Sequence, residues 1–385
     1  MAIYLNLVLN INKFTTLSMR EIIYMLICVC LFCACQSEKN YFNGETYTIN
    51  LPFAVDTLDG KELHFDEVQT GEMFVYDSLL FFSSSKYPGY SVSIFNVKSG
   101  KHLANCFNRG QGPYEFHNLS FIRYVTYEDN RPHLYAYAVN EQQLIDIDIM
   151  AFLKKLTQTG NVDYSAVQVD ECLWSTYHTV PFNYQYPLNK RFLLVKTSFE
   201  SPFMNEEEPM LPTYELIDTK KKEVTRSYSI YQTPIKNDNL QDKSLVYLST
   251  DAIRPDGKQI AMAMGVMPQL IITNMETGEM TCHEIANMLK QKIEKATEEN
   301  IYLYYKSTVA DERHIYSLFV NKPFFQKAGE KLPQGNEIHV FDWNGNLLTR
   351  WYIRHAADEI RLDYKGKLLY AKNNITDQIH VYHLK

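Results

Sequence analysis

Asp77-Ser78-Leu79-Leu80-Phe81-Phe82 sets a polar turn ahead of an apolar strand, and the same order returns five times along the chain. The later copies are Arg131-Pro132-His133-Leu134-Tyr135-Ala136, Asn189-Lys190-Arg191-Phe192-Leu193-Leu194, Asp256-Gly257-Lys258-Gln259-Ile260-Ala261, Asp311-Glu312-Arg313-His314-Ile315-Tyr316 and Lys365-Gly366-Lys367-Leu368-Leu369-Tyr370. An alternating strand follows each one, usually closing on Asp or Asn: Ser93–Asn96, Leu144–Asp148, Tyr214–Asp218, Ile271–Asn274, Ile338–Asp342 and Ile379–Tyr382. Taking Leu80, Leu134, Phe192, Ile260, Ile315 and Leu368 as markers, the copies stand 54, 58, 68, 55 and 53 residues apart. Period-two alternation with turn chemistry at such regular intervals argues for antiparallel sheet throughout.

Units of this length supply about four short strands each, which is what radial repetition around an axis requires. A sandwich would alternate too, but it would not keep one turn-strand-strand order at near-constant spacing. The predicted fold is therefore all-β, a six-bladed β-propeller over residues 46–385. The sixth unit ends after its third strand, leaving that blade one strand short. The alternating stretch Tyr47-Thr48-Ile49-Asn50-Leu51 has no partner of its own, and it is predicted to close the ring as the missing outer strand, removing an exposed edge.

The chain of 385 residues has 45 acidic side chains against 38 basic ones, is 45% apolar and has only 15 Gly. Disorder, a collagen-like repeat and a cationic nucleic-acid binder are thereby excluded, and no nucleic-acid partner is expected. Tyr is abundant at 28 and Trp scarce at 3, which suits flat side chains wedged between blades.

Part of the apolar total belongs to an export leader. Arg20-Glu21 precedes an uncharged apolar run from Ile22 to Ala34, and Cys35 is followed by polar Gln36-Ser37-Glu38-Lys39. The run is too short to span about 30 Å of hydrocarbon comfortably, but it has the length of a signal-peptide core. Leu31-Phe32-Cys33-Ala34-Cys35 resembles the lipobox of bacterial lipoproteins, so residues 1–34 are expected to be removed and Cys35 to be lipidated. A plain secretory signal or a short membrane anchor are the alternatives. Met19, just ahead of Arg20, would give a leader of ordinary shape and is the expected true start. Residues 35–45 then form the lipidated Cys and a short linker. Cys106, Cys172 and Cys282 are too far apart for a disulfide framework or a metal-type pair.

Counted from each marker to the strand that follows, the loops of the third and fifth units are the long ones, at 199–212 and 321–336. Tyr87 and Tyr90 fall in the corresponding loop of the first unit. In a propeller all these loops, and the connections between blades, emerge on one face. Tyr87, Tyr90, Phe203, Met204, Phe324 and Phe325 are accordingly the candidate binding rim, together with Arg109 and Glu115. The connection between the fourth and fifth units, His283–Asn300, carries Ile285, Met288, Leu289, Ile293 and Ala296 at helical spacing and is predicted as a helix on the same face.

Arg109 and Glu115 belong to Asn108-Arg109-Gly110-Gln111-Gly112-Pro113-Tyr114-Glu115-Phe116, the first connection between units. Its glycines permit positive φ and its proline fixes the next bend, so it is read first as a tight turn with Arg109 and Glu115 paired across it, and otherwise as a ligand contact. With its Gly-x-Gly-Pro-x-Glu-Phe pattern the chain resembles the six-bladed TolB-like or NHL-like propeller lipoproteins of Bacteroidetes, a family largely without assigned biochemistry. The resemblance implies a fold and a cell-envelope location, and it transfers no active site.

No GxSxG elbow or HExxH helix is present. His339 and His380 stand at equivalent positions of two repeats, which explains them without a metal, and no metal or cofactor is expected. The expected function is non-enzymatic: a propeller anchored by lipid, at the outer membrane, binding a protein, peptide or glycan through its loop face. The alternative is a hydrolase or lyase using polar side chains at the mouth of the central channel.

Overall fold

The computed structural model describes residues 41–385 except 53, 68, 118, 130, 139, 142, 172–184, 197–210, 326–332, 364–366 and 385. The leader, Met19, Cys35, Cys172, Phe203 and Met204 lie outside the described residues. Three short strands come first: β1 (Glu45–Ile49), β2 (Asp56–Leu58) and β3 (Gly60–Leu63). Six four-stranded antiparallel units follow, built as blades. Blade 1 holds β4 (Glu72–Tyr76), β5 (Leu79–Ser83), β6 (Tyr90–Asn96) and β7 (His102–Asn108). Blade 2 holds β8 (Leu119–Glu128), β9 (Arg131–Ala138), β10 (Gln143–Asp148) and β11 (Val167–Glu171). In blade 3 these are β12 (Gln185–Pro187), β13 (Phe192–Lys196), β14 (Thr213–Asp218) and β15 (Glu223–Ser229). In blade 4 they are β16 (Ser249–Ile253), β17 (Gln259–Met264), β18 (Gln269–Asn274) and β19 (Met280–Ile285). Blade 5 has β20 (Tyr302–Ala310), β21 (His314–Pro323), β22 (Gly335–Asp342) and β23 (Leu347–Ala357). Blade 6 adds only β24 (Glu359–Asp363), β25 (Leu368–Lys372) and β26 (Ile379–His383). The protein is a six-bladed β-propeller, and every repeat quoted above forms the second and third strands of its blade.

The ring is closed by an N-terminal strand, but by a different one from that expected. Residues 45–49 pair in parallel with β19, as a fifth strand on blade 4. Asp56–Leu58 then pair in parallel with β23 of blade 5, and Gly60–Leu63 pair antiparallel with β26 to complete blade 6. The segment is a strap over three consecutive blades. Its closing strand is short and polar because it sits on an outer edge. Gly60 is required there, since a Cβ would overlap the Tyr382 ring.

Between blades, large side chains fill the wedges; Tyr135, Tyr214, Tyr304, Tyr305, Tyr370, Tyr382, Phe81 and Phe95 are fully buried. Polar latches near the axis join neighbouring blades. Tyr124 donates to Pro187 O (2.8 Å), Lys196 pairs with Asp251 (3.0 Å), Thr250 bonds Thr308 (2.6 Å) and Arg361 Nε donates to Met73 O (2.8 Å).

The expected helix over 283–300 is not formed. Strand β19 runs on to Ile285, and the only helical piece is a single tight turn, Ile293–Lys295. The apolar spacing has another cause: Ile285, Met288 and Leu289 pack between blades 4 and 5, whereas Ile293 and Ala296 join the cluster between blades 3 and 4. Two carbonyls a helix would have used are taken by Asn237, whose Nδ2 reaches Ile293 O (2.7 Å) and Ala296 O (2.9 Å).

Candidate functional site

Two sets of loops define the faces of the ring. Turns between first and second strands, and between third and fourth, form one, which we term the turn face. Second-to-third loops and the connections between blades form the other, the connection face, and the candidate rim lies there.

The first connection, after β7, is held by its own backbone and by blade 1. Phe116 N donates to Asn108 O (3.0 Å), closing the loop, and Arg109 N donates to Gly89 O (3.0 Å) in the loop that holds Tyr87 and Tyr90. Arg109 and Glu115 do not serve one another. The Arg109 guanidinium donates to Ser84 O (2.9 Å), and the Glu115 carboxylate accepts from Gly112 N (2.9 Å). The glycines matter for space: a Cβ at Gly110 would overlap the Glu115 carboxylate, and neither Gly110 nor Gly112 has positive φ. Phe107 (φ 55°) and Tyr114 (φ 61°) take the left-handed positions instead. Aromatic packing holds them in place. Tyr114 stacks on Tyr164 at 5.4 Å, Phe107 stacks on Phe152 at 5.6 Å, and the Tyr164 hydroxyl accepts from Phe107 N (2.7 Å).

The predicted rim residues divide into two groups. Tyr87, Tyr90, Arg109 and Glu115 are brought together on blade 1, but Tyr87 is only 6% exposed and is no rim residue. Its ring stacks on Tyr90 at 4.9 Å and its oxygen accepts from Thr70 N at 3.2 Å. Burial pushes its phenol up to about 12. The sequence SSSKYPGYS reads as an exposed loop, yet Tyr87 fills the wedge between blades 6 and 1. Phe324 and Phe325 form a separate patch on blade 5, edge to face at 5.0 Å. Phe324 packs on the cluster between blades 3 and 4, and Phe325 is 44% exposed.

Beside the first connection lies a cleft of about 580 Å³, walled by Gly110–His117 and by Asn140, Glu141 and Gln143 of the second-to-third loop in blade 2. His117 Nδ1 lies 2.6 Å from Glu141 Oε1, and His117 N donates to the same oxygen at 3.0 Å. Glu141 Oε2 is buried and, among the described residues, has no hydrogen-bond partner. The cleft thus offers a carboxylate oxygen in need of a donor, with Glu115 close by and the apolar faces of Pro113 and Tyr114 alongside. That chemistry suits an amine, a guanidinium or an amide N–H. Neither His117 nor Glu141 stood out in the sequence, because nothing in Asn140-Glu141-Gln142-Gln143 separates it from an ordinary polar loop.

His339 and His380 do not meet. His339 Nε2 lies 2.8 Å from Glu337 with Nδ1 3.0 Å from the Tyr305 hydroxyl, whereas His380 stacks on His355 at 3.8 Å. Among the described residues no group of three or more His, Cys, Asp or Glu is arranged to hold a metal ion. Cys106 and Cys282 are buried free thiols, pushed well above their ordinary range by burial.

No protein-family model matches the chain, and no curated protein is similar to it by sequence. Among solved structures it is similar to a member of the DUF4221 family from Bacteroides vulgatus, with a TM-score of 0.53 and 14% identity over 88% of this chain and 95% of that one. A Bacteroides fragilis protein designated as exported aligns over 88% of this chain and 99% of its own, with a TM-score of 0.46 and 11% identity. At 14% identity the first likeness is one of fold, a propeller shared across nearly the whole chain.

Proposed function

We propose that this protein is an extracytoplasmic lipoprotein of the TolB-like or NHL-like propeller type, anchored through Cys35 at the outer membrane, that binds a peptide or protein segment on its connection face. The leader supports the address. Support for binding rests on the unpartnered Glu141 Oε2 in the cleft beside the first connection. A basic side chain entering there would place its N–H groups on Glu141 and Glu115 while its methylene stem lies on Pro113 and Tyr114. Phe325 supplies a second, apolar contact on the same face.

A reading as a hydrolase or lyase draws on the inner strand ends at the turn face. Burial, with Tyr127, Asp77, Asp148 and Asp363 nearby, pushes the Tyr76 phenol up to about 12. These groups set two phenols beside three carboxylates with no histidine among them to serve as a base near neutrality, and binding remains the reading the geometry favours.

The test is calorimetric titration of the mature protein with a panel of short Arg- and Lys-containing peptides and their Ala counterparts. Basic peptides should bind, and Glu141→Gln should weaken them about ten-fold, the loss of one charge-assisted hydrogen bond. Equal affinity for basic and Ala peptides, or no effect of Glu141→Gln, would count against it. Membrane fractionation of Cys35→Ser tests the anchor separately: the variant should leave the membrane fraction.

A further inference from the structure

The gap between blades 2 and 3 is built differently from the other five. In each blade, the middle residue of the second strand that faces the next blade has a cross-strand partner on the third strand. Those partners are Ile94, Leu216, Ile272, Val340 and Val381 in blades 1, 3, 4, 5 and 6. In blade 2 the partner of Tyr135 is Asp146, only 5% exposed. An aspartate in a site that five sister blades fill with aliphatic side chains costs several kcal/mol in desolvation unless it is paired.

The pairing it receives is specific. His133, also buried, has Nδ1 2.6 Å from Asp146 Oδ1, and among the described residues its Nε2 has no partner. Both residues line a cleft of about 340 Å³ that opens on the turn face. The cleft continues the theme with ion pairs: Arg131 with Asp148 at 2.8 Å, and Lys190 with Glu128 at 3.4 Å. The Tyr135 hydroxyl donates to Glu128 at 2.8 Å. Asp148 Oδ1 also accepts from Ala151 N at 3.1 Å.

This arrangement selects among ligands. Glu128, Asp146 and Asp148 are each already matched to a cation or an N–H, and only Asp129, exposed at the edge of the cleft, stands outside these pairs, so an ion reaching the floor would have to break one. A hydroxyl group is both donor and acceptor, so it can bridge the carboxylate and the N–H of one pair without separating them. Vicinal hydroxyls match neighbouring pairs, and the cleft has room for about one sugar ring. We propose that the gap between blades 2 and 3 is a binding site for a neutral carbohydrate of one or two rings, with the Asp146-oriented His133 at its floor and Arg131, Asp148, Glu128 and Lys190 at its rim. The site is distinct from the cleft on the connection face and does not depend on it.

The test follows the His133 imidazole resonances of the full mature chain by NMR during titration with D-glucose, D-galactose, N-acetyl-D-glucosamine and their β-linked disaccharides. At least one sugar should shift those resonances with saturation. The double variant His133→Phe/Asp146→Leu restores the apolar character of the sister blades. It should keep or raise the melting temperature while sugar binding, followed by calorimetry, falls more than ten-fold. Arg131→Gln/Lys190→Gln, altered only at the exposed rim, should bind several-fold more weakly without unfolding. No shift of His133 with any sugar up to about 50 mM, which would saturate a site with a millimolar dissociation constant, overturns the proposal. Undiminished binding in either variant overturns it too.

Discussion

Acid should weaken this propeller, and one group responsible is Glu337 of blade 5. Its carboxylate is held from two sides. Arg350 Nε and Nη2 donate to its two oxygens at 2.6 and 3.0 Å, and His339 Nε2 lies 2.8 Å from Oε1. Arg350 Nη1 also donates to Pro52 O (2.9 Å), so the same guanidinium ties the N-terminal strap to blade 5. Burial by itself would raise the Glu337 carboxyl, but the bonds from His339 and Arg350 outweigh it and hold the group at about 2, against an ordinary 4.5. His339 is pulled down by its own burial, against the opposing pull of the Glu337 carboxylate.

A carboxyl depressed in this way stabilises the fold fully above its unfolded value of 4.5, and the contribution is lost as pH falls from there through about 2. Since the side chain is only 20% exposed, little discount for solvent is needed. The depression corresponds to about 3 kcal/mol, or about 4 °C in melting temperature for a chain of this size. Glu337→Gln keeps the shape and removes the charge. Urea denaturation of the two proteins between pH 7 and pH 2.5 should show the variant less stable by about 3 kcal/mol at neutrality, with the two curves converging toward the acid end. A deficit that stays constant with pH, or one below about 1 kcal/mol at pH 7, would show that Glu337 is not held as its geometry implies.

Two further outcomes follow from buried geometry. Lys196→Met leaves Asp251 buried without its cation and should cost about 3–5 kcal/mol by urea denaturation, whereas adding Asp251→Leu should bring stability back to within about 1 kcal/mol; a double variant as weak as the single would refute the pairing. Gly60→Val would drive a side chain into the Tyr382 ring and loosen the ring-closing strand, costing more than about 2 kcal/mol, while Tyr47→Ala, on the exposed extra strand of blade 4, should cost less than about 1 kcal/mol. Equal effects in thermal melts would show that β3 does not close the ring.

The second and third strands of every blade were legible because they are buried on both faces and must declare themselves in apolar residues behind a turn. Outer strands are half exposed, so Glu223–Ser229 and Gly60–Leu63 carry too little pattern to be seen, and the alternating but peripheral Tyr47-Thr48-Ile49 drew the closing role to itself. The helix expected over 283–300 does not form because its apolar residues serve two different clusters from a run of turns and one short helical turn. Asp146 was hidden by alignment. Phe192 and Leu368 face the following blade, whereas Leu80, Leu134, Ile260 and Ile315 face the preceding one. A slip of one residue exchanges the faces of a strand, so copies lined up on those markers compare positions that look in opposite directions. Compared by face, the aspartate stands out at once.

The strap also sets an order of events. Strand β3 can complete blade 6 only when β26, more than 300 residues later, has been made or delivered, and β1 and β2 wait similarly for β19 and β23. Pairings of such long sequence separation are slow, because loop closure must precede the contacts that reward it. Blades 1, 2 and 3 take all their described strands from contiguous sequence and are free to form early. The first residues of the propeller are thus the last to find their places, and until they do, blades 4, 5 and 6 display open edges on which an unfinished chain would be prone to pair with its neighbours.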